Sequence, residues 1–85
     1  MSKISHTESL NFKDGKGLIF VNFSDNQGEH HAYIEGTKNL LKQLKEAQND
    51  GQSLDILNIE GVVHVGSGKE PDEPTIAYIE HKYGQ

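Results

Sequence analysis

Five histidines and no cysteine bound the metal chemistry open to this chain. His30 and His31 are neighbours on an expected strand, so their rings point to opposite faces and cannot share one ion. No His-x-x-x-His pair falls on an expected helix, and thiolate ligands are absent. In the expected register His64 lies opposite Tyr78 and His81 opposite Gly61, again on different faces. His31 and His64 lie on separate expected strands and are kept as possible ligand-binding residues. No metal and no cofactor is expected.

Gly66-Ser67-Gly68-Lys69 has the look of the tail of a phosphate loop. The full pattern needs an earlier glycine, a hydroxyl residue after the lysine, and a helix N-terminus to hold the phosphate. Here Glu70 and Pro71 follow the lysine, so a flexible connector over residues 66–74 is the better account. The serines lack the strand-turn-helix setting of a nucleophile, and no carboxylate pair has a persuasive spacing. A His31–Glu35 or His64–Glu80 acid-base pair can be drawn, but nothing in the pattern singles it out. No catalytic residue is assigned, and an enzyme is the weaker reading.

Lys38, Lys42 and Lys45 recur at i, i+4 and i+7 on the expected helix, forming one basic ridge on a chain of net charge −5. A solvated helix face is the plain explanation. The functional one is a docking strip for an acidic partner or a phosphate-bearing ligand. All eight cations are lysines. Without arginine the chain lacks the planar fork that grips phosphate and reads guanine, so nucleic-acid readout is not expected.

These residues must be positioned by a small chain. Its 85 residues, 33% of them hydrophobic, suffice for one domain with a thin core. The longest apolar run, Leu18–Val21, is far too short for a membrane span. The first residues have no apolar segment of the secretory kind. With no cysteine either, a cytoplasmic setting is the expectation.

The pattern predicts an α+β fold, a small, mostly antiparallel sheet of about five strands in the order β-β-β-α-β-β with one helix packed on one face. Residues 1–8 are expected to be loosely ordered, and 9–85 to form the domain. Leu10 and Phe12 alternate with polar residues before Asp14-Gly15-Lys16-Gly17. A turn at Gly15-Lys16 would set Phe12 opposite Ile19 and Leu10 opposite Val21. Pairing Phe23 with His30 places Val21 by Ala32, Ile19 by Ile34 and Phe20 by Tyr33. Thr37 is the expected helix N-cap, Leu40, Leu41, Leu44 and Ala47 its apolar stripe, and Gly51 its stop. Leu54–Val65 reads as one or two strands around Gly61, and Thr75–Tyr83 as the last strand. Setting Glu60 opposite Lys82 avoids a clash with Glu80.

In that arrangement Leu18, Phe20, Tyr33, Val62, Ile76 and Tyr78 fall on the face the helix leaves bare. Apolar groups collected on an open face usually mark an interface. The expectation is therefore a small acidic protein-interaction module, homodimeric through this face or a strand edge, that binds or inhibits another protein. Inhibitors, immunity-type proteins and phage or mobile-element accessory proteins are commonly of this size and charge. The alternative is a small-ligand or nucleotide binder, or a minimal enzyme, with a pocket between subunits built from Tyr33, Tyr78, His31 and His64.

Overall fold

A computed structural model describes residues 2–67 and 73–83. The chain is α+β, with an antiparallel half-barrel sheet and two helices. β1 (Ser2–Lys13), β2 (Lys16–Asp25) and β3 (Gly28–Thr37) form a meander, followed by α1 (Lys38–Asp50). The short β4 (Ser53–Leu54), a single 3-10 turn at Ile56–Asn58, β5 (Val62–Ser67) and α2 (Glu73–Tyr83) complete it. The strand order is β4-β1-β2-β3-β5.

The β2–β3 register is the expected one: Phe23 lies opposite His30, Val21 opposite Ala32, Phe20 opposite Tyr33 and Ile19 opposite Ile34. The hydrophobic pattern fixes it, because a slip of one residue would turn Ile19, Val21 and Ile34 away from the core. α1 is also as expected. Thr37 Oγ1 accepts the Leu40 amide at 3.3 Å, and Gly51 ends the helix with φ 66°. Leu44 and Ala47 are buried with Ile19, Val21, Phe23, Ala32, Ile34 and Ile56 in one core.

The first hairpin differs from the expectation. Asp14 and Gly15 both take positive φ, 55° and 80°, so they are the two central turn residues and Lys13 pairs with Lys16. Asp-Gly suits this turn better than Gly-Lys, because both central positions need the left-handed region. Irregularities between Leu10 and Lys13, and between Ile4 and His6, then shift the register further. Leu10 falls opposite Leu18, and Ser9 opposite Ile19. Residues 2–8, expected to be loose, are strand: Ile4 and Thr7 are buried, and Ser2 and Lys3 pair with Leu54 and Ser53 of β4.

The largest correction concerns the C-terminal part. Thr75–Tyr83, expected as a strand, belongs to α2. Glu73 and Pro74 occupy its first turn, and His81 and Lys82 its last, the arrangement that the helix dipole and proline geometry favour. β5 therefore pairs with β3, not with a strand over Thr75–Tyr83, and Glu60 does not face Lys82. Of the expected 66–74 connector, Gly66 and Ser67 end β5 and Glu73-Pro74 begin α2; its middle lies outside the described residues.

Candidate functional site

The face of the sheet turned away from α1 carries the polar and aromatic groups, and strand register orders them into rows. Glu8, Phe20, Tyr33 and His64 lie directly opposite one another across β1, β2, β3 and β5. His6, Asn22, His31 and Gly66 form the next row. Leu10, Leu18 and Glu35 form the row on the other side. Phe20 and Tyr33 stand 5.0 Å apart between ring centroids, and His31 and His64 stand 5.3 Å apart. Burial, with a smaller contribution from Glu8, pushes the Tyr33 hydroxyl above its ordinary pKa. The phenol stays neutral there.

Gly66 sits where the two imidazoles converge. A β-carbon at Gly66 would stand 2.8 Å from His64 Nε2 and 3.0 Å from His31 Nε2. The absent side chain lets both imidazoles pack directly over the Gly66 backbone. Among the described residues no three of His, Cys, Asp and Glu are grouped to hold a metal ion.

The predicted interface residues are dispersed by the fold. Phe20 and Tyr33 are half-buried neighbours, as the shared face implied. Leu18 is fully buried, and Val62 packs against the core on the α1 side. Ile76 and Tyr78 are exposed on α2. Of the ligand-pocket candidates, Tyr33, His31 and His64 come together, while Tyr78 is engaged elsewhere.

Tyr78 belongs to a node around Glu35, which the residue pattern did not single out. The Tyr78 hydroxyl donates to Glu35 Oε1. Lys82 Nζ and the Tyr83 hydroxyl both donate to Oε2, at 2.5 and 2.7 Å. The backbone of the same residue holds the turn before β5, its amide donating to Gly61 O at 2.9 Å. Gly61 needs to be glycine twice over: its φ is 92°, and a β-carbon would collide with the Glu35 carbonyl oxygen. The Lys82 ammonium, then the two phenols, hold the Glu35 carboxyl down at about 2. Burial, then the hydrogen bond to Glu35, pushes the Tyr83 hydroxyl up to about 12. Lys82 is raised by Glu35 and Tyr78. Each group is thereby fixed in its ordinary charge state at neutral pH. Three groups of α2 on one carboxylate of β3 make the node a tether for α2. The signal for it was spacing: Tyr78 and Lys82 share a helix face at i, i+4, visible once α2 is read as a helix.

Two further surfaces stand out. Lys38, Lys42 and Lys45 are exposed on α1 beside a groove whose floor includes Phe12 and Leu41. β5 forms one edge of the sheet and, among the described residues, has no strand on its outer side. No helix among these residues is long and apolar enough to cross a membrane. Comparison with protein-family models, with curated proteins and with solved structures gave no match.

Proposed function

We propose that this chain is a small protein-interaction module that works as a homodimer, two copies joining along β5 into one continuous sheet, and that it binds or inhibits another protein. The supporting observation is the character of that edge. β5 reads Val-Val-His-Val-Gly-Ser, with no charged residue and no proline, and Val63 is 36% exposed. Monomeric sheets guard an open edge with lysine, proline or cover, because unpaired N–H and C=O groups recruit another strand. The opposite edge has such guards: β1 carries Lys3, Glu8 and Lys13, pairs with β4 at its start and has α1 against it.

Light scattering on the purified chain tests this. The expected mass is twice 9.5 kDa for the parent and for Leu57→Lys, a change at a position 69% exposed and away from the edge. Val63→Lys should give a single copy with an unaltered circular dichroism spectrum. A monomeric parent, or a Val63→Lys variant that stays dimeric, ends the reading.

A further inference from the structure

The α1 charges are arranged against the helix that carries them. Lys38 is the first residue of α1, no acidic residue lies in the first turn, and no basic residue lies in the last, where Asp50 stands instead. A helix dipole favours the reverse at both ends. Lys38 and Lys42 at i, i+4, and Lys42 and Lys45 at i, i+3, add repulsion between like charges. None of the three lysines is ion-paired among the described residues. Helix stability therefore does not account for this ridge.

What the ridge borders is apolar. Beside it lies a groove of about 370 Å³, floored by half-buried Phe12 and Leu41 and rimmed by the three lysines, with Glu46 as its one acidic neighbour. An amphipathic rim and floor of this kind fit an anionic chain that also carries an apolar side chain. Nucleic acid fits less well, because the chain has none of the arginines that grip phosphate. We infer that this groove between α1 and β1 binds an acidic peptide segment of a partner protein, an apolar anchor seated on Phe12 and Leu41 and flanking carboxylates on Lys38, Lys42 and Lys45. The inference rests on the chain being an interaction module, and it gives that module's partner a chemistry. The groove and β5 are separate elements, so partner binding and dimerisation separate by mutation.

The test uses fluorescence anisotropy with a labelled short peptide of Asp and Glu around a central Leu-Phe pair. Binding should weaken with added salt, and should weaken about tenfold in the Lys38→Gln, Lys42→Gln, Lys45→Gln triple variant, as rim charges govern such encounters. Replacing Leu-Phe by Ser-Ser in the peptide should cause a comparable loss. The triple variant exchanges only exposed side chains, and its native mass should equal the parent's. Val63→Lys should bind the peptide as the parent does, so failure of the dimer reading and failure of this one give different results. No binding by the parent, equal binding by the triple variant, indifference to the Leu-Phe pair, or tighter binding of single-stranded DNA than of the peptide would each overturn the inference.

Discussion

The Tyr83 hydroxyl donates a hydrogen bond to Glu35 Oε2 at 2.7 Å, joining the end of α2 to the end of β3 across 48 residues of chain. With Lys82 and Tyr78 on the same carboxylate, this contact is what fastens a helix whose own side chains are mostly exposed.

Docking of α2 is accordingly pH-dependent at both extremes. The Glu35 pKa is lowered from 4.5 to about 2, so its contribution is complete above 4.5 and is lost as pH falls toward 2. Tyr83 is raised from 10.0 to about 12, and Lys82 is raised as well, so their contributions are complete below 10 and fade as pH rises through the folded values. Limited proteolysis at Lys82 should show protection across the whole middle range. Glu35→Gln should speed cleavage about tenfold at neutral pH, the factor carried by one charge-assisted hydrogen bond.

Gly17 lies directly against Phe12. A β-carbon there would stand 2.7 Å from Phe12 Cα, a backbone atom that cannot swing aside. Gly17→Ala should cost about 2–3 kcal/mol in chemical denaturation, as overpacking does. Gly51→Ala meets open space and pays only for its φ of 66°, about 1 kcal/mol. Equal losses would show that the Phe12 contact is not close-packed.

Leu44 is fully buried between α1 and the sheet, whereas Leu57 is 69% exposed. Leu44→Ala should destabilise by about 2–5 kcal/mol and Leu57→Ala by less than about 0.5 kcal/mol. The denaturation midpoints of the two variants check this directly.

Lys38→Glu separates stability from binding. An acid at the start of α1 should raise stability by about 0.5 kcal/mol through the helix dipole. The same change should weaken the acidic-peptide complex. A variant that gains stability and loses peptide binding would mark Lys38 as a residue placed for contact.

The sequence makes legible those features whose determining interactions are local. The Phe20–Tyr33 pairing and the Thr37 and Gly51 caps could be read because alternation and capping act between neighbours in the chain. The β1 register could not, because it is set by two irregularities and by the space Gly17 leaves for Phe12. The sequence over α2 favours a strand reading because Ile76, Tyr78 and Ile79 are good strand formers, although Glu73-Pro74 at its start and Lys82 at its end say helix. The Glu35 node is hidden for the same reason: with Thr75–Tyr83 laid out as a strand, Lys82 falls opposite Glu60 and not on Glu35.

The strand order also sets a sequence of events. β1, β2 and β3 are joined by turns at Asp14-Gly15 and Asn26-Gln27, so their ladders close loops of the smallest possible size. Pairing Ser2 and Lys3 with Leu54 and Ser53 instead brings together residues about fifty positions apart. Closure entropy grows with that separation, so the meander should zip first and the β4 clasp should set last. During refolding the pocket that receives Ile56 therefore stays open the longest, and the chain is vulnerable there to capture by other apolar segments until the clasp closes.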